Sequence, residues 1–311
     1  MAILRFLLAT CVVAGHAGAI FGIPMMGAGT AVRTFFTISG FYMTLILTSK
    51  YHATDPAGYR LFLGNRLLRI LPSYYVVLAL SLAFYAAAAL KLQMPVDRLQ
   101  YWIDAWRAGY WHELAAIAVS QFTVIGLDAT PMFDFAPSRG FDWVTTLGQD
   151  AIRAWRFNFM PHCWSIGVEL AFYLLAPFLC LLRRWALVAL IAGIGLLHLA
   201  TWLLLPGEMY LLISYHFAPY QFAFLLLGVL SFHVFRPVLL RKEVAAGWYL
   251  LAAAPMAVLV FFSGWMHWPF MPFVAMAVSF PAIPLLFRLT GKSRVDRFIG
   301  DLSYRCILRT F

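Results

Sequence analysis

The chain has 311 residues, 63% of them hydrophobic and 12% charged, with a formal net charge of +10. A soluble globular domain carries about 25% charged residues, so half that load, with apolar runs of about twenty residues recurring throughout, excludes a soluble body and predicts an all-α polytopic transmembrane helix bundle. The basic excess follows membrane orientation, as shown below, and no nucleic-acid partner is expected.

Complete spans are predicted near 6–24, 33–49, 72–92, 163–182, 185–205, 213–235, 244–263 and 268–287, followed by a truncated final one. With the N-terminus cytoplasmic, the inner segments hold Arg5, the group Lys50, Arg60, Arg66 and Arg69, then Arg183 and Arg184. Further on they hold Arg236, Arg241, Lys242, Arg288, Lys292, Arg294 and Arg297. The outer basic residues fall mostly on one long loop, which counts little in the positive-inside rule. Every short basic loop lands inside. Residues 1–311 read as a single membrane domain, without low-complexity linker or obvious repeat.

Arg5 and His16 mark the first span, with the uncharged run FLLATCVVAG between them. In an α-helix a separation of eleven is about 1100° of rotation, within roughly 20° of three full turns, and about 16 Å of rise, so both side chains share one face. With Arg5 at one interface, His16 is predicted near the middle of a hydrocarbon core about 30 Å thick. An imidazole at that depth is either packed and bonded to a neighbouring helix or used by the chemistry. Ala17-Gly18-Ala19 resembles a signal-peptide cleavage site, but only Arg5 precedes the apolar run and His16 interrupts it, so the segment reads as retained.

The second span opens with AVRTFFTISGFYM, where Ser39-Gly40 follows the pair Phe35 and Phe36. Small residues there let helix backbones approach closely. The next inner loop carries Arg66 and Arg69, which share a face on a helical turn. Pro72 is placed to open the third span at its first turn. A bare RxxR is first of all a positive-inside cluster; its second reading is a guanidinium fork for phosphate or pyrophosphate oxygens.

Residues 93–162 are predicted as a large extracytoplasmic region. The stretch 112–127, HELAAIAVSQFTVIGL, is apolar enough to suggest another crossing. A crossing there would put Arg183 and Arg184 outside and reverse every later loop, so a buried or re-entrant helix is expected. Trp102, Trp106, Trp111, Trp143 and Trp155 suit an interfacial cover over the bundle.

Of the thirteen Asp and Glu residues, Glu169 is the one predicted inside a span. A carboxylate there must pair, be protonated or line a wet cavity. It lies roughly 9 Å below the outer end of its span and His16 about 15 Å above the inner end of its own, so their depths differ by only some 6 Å and a direct or water-bridged contact is feasible. His162, seven residues before Glu169, is predicted on the same helical face at the outer mouth.

Four segments in order, over residues 4–177, together resemble the membrane-bound acyltransferase-3 family. They are R-x10-H in the first span, FFxxSGF in the second, RLLRILPSYY after it, and the run HCWSIGVELAFY from His162 to Tyr173. The resemblance implies transfer of an acyl group, usually acetyl, from cytoplasmic acyl-CoA to a hydroxyl of an extracytoplasmic carbohydrate or lipid-linked sugar. It implies a multi-pass protein of the bacterial inner membrane, with acyl-CoA as co-substrate and no metal. Carried over by position, His16 and Glu169 are the catalytic pair, with His16 either a general base or an acyl carrier. Arg5, Arg66 and Arg69 hold acyl-CoA, and Ser39, His162 and Trp164 face the acceptor. Arg33 departs from the pattern, since many members carry an acidic or neutral residue before the paired phenylalanines.

His198 reads as a cross-helix hydrogen-bonding residue, and His216 and His233 as interfacial. The cysteines, Cys11, Cys163, Cys180 and Cys306, form no metal or disulfide spacing. Pro255, Pro269, Pro272, Pro281 and Pro284 suit kinked helices around a cavity. Gly300 to Tyr304 resembles the start of the family's closing span, but Arg305–Phe311 does not continue it. One set of codons for RCILRTF, shifted by a base, reads Pro-Leu-Tyr-Leu-Ala-His-Val, so a frame slip and a missing last span are expected. The rival functions are a transporter of a small anion or sugar, which predicts inverted repeats and paired broken helices, and a non-catalytic scaffold.

Overall fold

The computed structural model describes residues 1–18, 22–51, 55–90, 97–143, 151–241, 244–266, 271–291, 293–296 and 298. The altered C-terminal segment lies outside the described residues. The helices, in chain order, are α1 (Ala2–Ala17), α2 (Ala28–Ser49), α3 (Pro56–Leu90), α4 (Asp97–Arg107), α5 (Trp111–Thr123) and α6 (Trp164–Leu179). They continue with α7 (Arg184–Leu204), α8 (Gly207–His216), α9 (Ala218–Leu240), α10 (Ala246–Phe262) and α11 (Met271–Thr290). Between α5 and α6 run three short strands, β1 (Phe133–Ala136), β2 (Gly140–Trp143) and β3 (Ile152–Arg153), in the antiparallel order β2-β1-β3. Among the described residues 7 helices are long and apolar enough to cross a membrane, and α1 is a shorter apolar helix. The protein is an all-α polytopic membrane protein with a small sheet that periodicity did not reveal.

Three predicted boundaries move. The first helix ends at Ala17, not near residue 24, because Gly18 adopts φ 102°, a left-handed conformation that glycine takes freely and that stops a helix. The third helix starts at Pro56, and Pro72 lies inside it rather than opening it. A stronger start signal stands upstream: Asp55 accepts the Gly58 N–H at 3.2 Å, an N-cap followed by proline in the first turn. Arg66 and Arg69 are therefore helical residues and not part of an inner loop. The predicted span 213–235 breaks between α8 and α9, where Phe217 is extended and Pro219 cannot donate into a continuing helix. The Gln221 amide donates to the last carbonyls of α8, those of Ser214 (2.8 Å) and Tyr215 (2.9 Å).

The structure divides into two compact units, Met1–Tyr59 with Ala176–Gly193 and Phe222–Phe311, and Arg60–Leu175 with Ile194–Gln221. In the first, α1, α2, α10 and α11 bury Leu4, Leu8, Cys11, Phe41, Met256, Val260 and Ile283 together. Lipid is as apolar as leucine, so close packing and internal hydrogen bonds hold such helices, more than escape from water. Along α2 the hydroxyls of Thr34, Thr37, Thr44 and Thr48 donate back to carbonyls four residues earlier, which satisfies each hydroxyl donor within the helix. Gly40 and Gly228 let α2 and α9 touch backbone to backbone. The Arg288 guanidinium donates to the Val238 and Leu239 carbonyls at the end of α9. At the start of α1, the Asp296 carboxylate accepts the Ile3 N–H at 3.0 Å and pairs with the N-terminal ammonium at 2.6 Å.

In the second unit, α5 has 13 residues, about 20 Å, too short to cross a 30 Å core. Among the described residues α5 is therefore not long enough to cross on its own. Leu114, Ile117 and Gln121 are buried, while Trp111, Val119 and Phe122 stay exposed. The end carbonyls of α5 are taken by α3: Tyr74 donates to the Gln121 carbonyl at 2.5 Å and Tyr75 to the Phe122 carbonyl at 2.7 Å. A helix end away from water requires such donors. The sheet packs Phe135 and Phe141 on Phe157, whose carbonyl accepts the Trp102 indole N–H at 2.9 Å.

Candidate active site

Arg5 and His16 sit on one continuous helix, α1, so the eleven-residue interval keeps them on one face. His16 occupies the last turn, where the chain leaves the helix, and not the middle of a longer span as predicted. It is exposed within its unit, while Arg5 is half-buried. Gly15 explains how the turn is seated: a Cβ there would stand 2.7 Å from the Ala28 Cβ, so the end of α1 lies directly against the start of α2. Ser39, on α2 beside the glycine crossing, is buried. Arg33 lies over the Phe224 ring at 5.3 Å, within the same unit.

The second unit joins the RxxR helix to the acidic helix. Arg66 is buried and stands over the Phe62 ring at 5.8 Å, one turn earlier on α3. Phe62 meets Tyr173 of α6 edge to face, with centroids 6.1 Å apart. The Tyr173 hydroxyl donates to Glu169 Oε1 at 2.5 Å, one turn back along α6. A cation, two rings and a carboxylate thus form one line across the two helices. Arg69, one turn further on, is exposed. Its helical spacing from Arg66 is as predicted, but the two guanidiniums stand in different environments.

His162 and Trp164 flank the start of α6. His162 belongs to the 3-10 turn Pro161–Cys163 and is exposed, so a seven-residue helical phase to Glu169 does not apply to it. Trp164 is buried between Tyr215 and His216, each ring centroid 5.0 Å away, and packs the break between α8 and α9. Gly167 lets α6 lie on the turn after α5: a Cβ there would be 2.8 Å from the Val124 carbonyl oxygen. Val124 holds φ 65°, and Asp128, in the same turn, accepts the Ala218 N–H at 3.3 Å and so caps α9. Burial pushes the Asp128 carboxyl above its ordinary value of 3.8, against the N–H groups of its own backbone and of Ala218. His198 packs on Tyr220 at 4.1 Å, and the His233 ring lies 2.8 Å from the Cys180 carbonyl.

Arg5, His16 and Ser39 therefore belong to the first unit, and Arg66, Arg69, His162, Trp164 and Glu169 to the second. Sequence reasoning did not single out Phe62 and Tyr173, which join Arg66 to Glu169. The signal was available, since each lies four positions from a selected residue on a helix. Among the described residues no three His, Cys, Asp or Glu side chains gather as a metal site.

The class is that of an all-α polytopic membrane protein, with an Arg–aromatic–Glu line in one unit and Arg5 and His16 on one helix of the other. The chain belongs to the acyltransferase-3 family: the family's acyltransferase-domain model matches residues 1–307. It is similar to the O-acetyltransferase OatA of Staphylococcus aureus, in strains NCTC 8325, COL and MRSA252 alike, at 22% identity over 157 residues. The match takes in 49% of this chain and 20% of the relative, so the chain spans about a fifth of the length of the curated relatives it matches. No solved structure matches it.

Proposed function

We propose that the protein is an integral-membrane O-acyltransferase, one membrane domain of the bacterial inner membrane, that moves an acetyl group from cytoplasmic acyl-CoA to a hydroxyl of an extracytoplasmic carbohydrate or lipid-linked sugar. The observation that supports this reading is the line Arg66–Phe62–Tyr173–Glu169, which ties the helix bearing Arg66 and Arg69 to the carboxylate of α6. On α3, Arg66 and Arg69 supply guanidinium donors for the phosphates of acyl-CoA, and Arg5 is kept as a cationic residue of the proposal on α1. His16 accepts the proton of the acceptor hydroxyl as its oxygen bonds to the thioester carbonyl carbon. The carbon–sulfur bond then breaks, and the CoA thiolate leaves and takes that proton from the imidazolium. Glu169, whose carboxylate accepts the Tyr173 hydroxyl, is the acidic catalytic residue of the proposal. Of the residues expected to face the acceptor, His162 is exposed and is kept in the proposal, while Ser39 and Trp164 are buried.

The test incubates membranes carrying the protein with radiolabelled acetyl-CoA and follows label onto surface glycans and lipid-linked sugars. Label that appears with the wild type and falls at least a hundredfold with His16→Ala supports the reading. Full transfer by His16→Ala removes the mechanism, and no transfer by the wild type removes the function.

A further inference from the structure

Arg33 is the one charged residue in the sequence of α2, and the proposed reaction does not use it. That helix is long and apolar enough to cross a membrane, and Arg33 stands five residues, or about 8 Å, beyond its first residue. An arginine so close to a helix end ordinarily snorkels, with its stem along lipid and its head in the interfacial water. Here the guanidinium lies 5.3 Å from the centre of the Phe224 ring, which is only 7% exposed, and Nε is buried. The cation therefore turns inward, against α9 of the same unit. A ring attracts a cation through its face and takes none of its hydrogen-bond donors. Because a guanidinium has five donors in a planar fork, bonds within the unit and a bidentate anion are compatible.

The position of Arg33 identifies the anion. The Gly15–Ala28 contact starts α2 beside the turn that carries His16, and α2 then runs back along α1, where Ala31, Ile38 and Phe41 share a core with Leu4, Leu8 and Cys11. Arg33 is thus only about a turn and a half from the level of His16. Cα–Cβ bonds on a helix tilt toward its N-terminus, which for α2 is the His16 end. When a thioester stands at His16, the phosphates of acyl-CoA are a whole pantetheine arm away, and the thioester itself carries no charge. A negative group within reach of Arg33 therefore belongs to the other reactant.

We infer that Arg33 reads a negative charge on the acceptor, which makes the acceptor an acidic sugar, bearing a carboxylate or a phosphate, rather than a neutral one. The inference rests on the acyltransferase reading and narrows its substrate class. The guanidinium pairs with the anionic oxygens and so sets which hydroxyl comes to His16. It takes no part in breaking the thioester, and Arg33 is a specificity-determining residue.

The full chain in lipid nanodiscs is given radiolabelled acetyl-CoA and one of three acceptors: methyl glucoside, methyl glucuronide or methyl glucoside 6-phosphate. An acidic acceptor is expected to exceed the neutral one about thirtyfold in kcat/KM, and the better of the two tells carboxylate from phosphate. Arg33→Gln should bring that ratio near one with the KM for acetyl-CoA unchanged. Should Arg33→Gln not fold, Arg33→Lys, which keeps the charge but loses the fork, should cut the ratio about threefold. A wild type without preference, a ratio unchanged in a folded variant, or equal loss on all three acceptors overturns the proposal. Binding is read separately, without acyl-CoA, as the rise in melting temperature that each sugar produces. An acidic sugar should stabilise the wild type and not Arg33→Gln, and the absence of that difference also overturns the proposal. An Arg33-dependent rise in a protein that transfers no acetyl supports the acidic-sugar site and overturns the acyltransferase reading. Transfer with neither preference nor selective rise does the reverse, so the two failures are distinguishable.

Discussion

Gly40 of α2 and Gly228 of α9 face each other across a backbone contact. A Cβ on Gly40 would lie 1.9 Å from the Leu225 carbonyl oxygen, and one on Gly228 2.0 Å from the Thr37 carbonyl oxygen. Neither neighbour is a flexible side-chain end that can step aside. The glycine in the Ser39-Gly40 pair is therefore a packing device, and Ser39 is held by it.

Gly40→Ala should destabilise the protein by about 1–3 kcal/mol, the usual range for overpacking a tight contact. Gly193→Ala on α7, where a Cβ meets nothing within 4 Å, should be neutral or gain up to about 1 kcal/mol of helix propensity. Thermal melts of both variants in one detergent check this, and identical melting temperatures would show that the crossing does not constrain α2.

Tyr74→Phe and Tyr75→Phe each leave a carbonyl at the end of α5 without its donor. Tyr74 is 3% exposed and Tyr75 40%, so the first should lose about 1–3 kcal/mol and the second less than about 1 kcal/mol. Hydrogen exchange over 111–123 reports the loosening. Equal protection in both variants and the wild type would rule out the capping role.

Tyr173→Phe removes the hydroxyl that fixes Glu169. A hydrogen bond to a charged group contributes about 1.5–3 kcal/mol, so turnover should fall about ten- to a hundredfold with the KM for acetyl-CoA unchanged. Glu169→Gln should lose at least as much, and the double variant no more than Glu169→Gln alone. Additive losses would mean that the tyrosine works independently of the carboxylate.

The two arginines should separate. Arg69→Ala, at an exposed position, should raise the KM for acetyl-CoA about tenfold with melting unchanged, while Arg66→Ala should raise KM and lower melting together, because Arg66 is buried against Phe62. Identical effects of the two substitutions would contradict the environments described here.

Acid should act in opposite directions at two carboxylates. Burial raises the Asp134 carboxyl above 3.8, although Arg153 and Arg139 pull it down. Its contribution is therefore greatest below pH 3.8 and is lost as pH rises through the raised folded value, so the sheet should gain protection as pH falls from 7 toward 4. At Asp296 burial also raises the carboxyl, but the N-terminal ammonium and the Ile3 and Ala2 N–H groups together lower it below 3.8. Its contribution is complete above pH 3.8 and disappears as pH falls through the lower folded value, so the first turn of α1 should loosen only in stronger acid. Hydrogen exchange at pH 7, 5 and 3, corrected for intrinsic rates, reads both.

The sequence by itself determined that the chain is a polytopic helical membrane protein, because apolar runs of span length have few other solutions in water or lipid. It also placed Arg5 with His16 on one face and Arg66 with Arg69 on one turn, since helical periodicity is local. Helix ends were less legible where two local signals compete: Asp55-Pro56 outweighs Pro72 at α3, and Gly18 stops α1 before its apolar run is complete. The sheet, too, escaped a reading based on periodicity, because its strands are only two to four residues long and carry almost no period. Which residues serve as partners was decided by tertiary structure alone. That Phe62 and Tyr173 link Arg66 to Glu169, that two tyrosines close α5, and that Gly40 answers Gly228 depend on contacts between segments distant in sequence, and no local pattern encodes the distance between two helices.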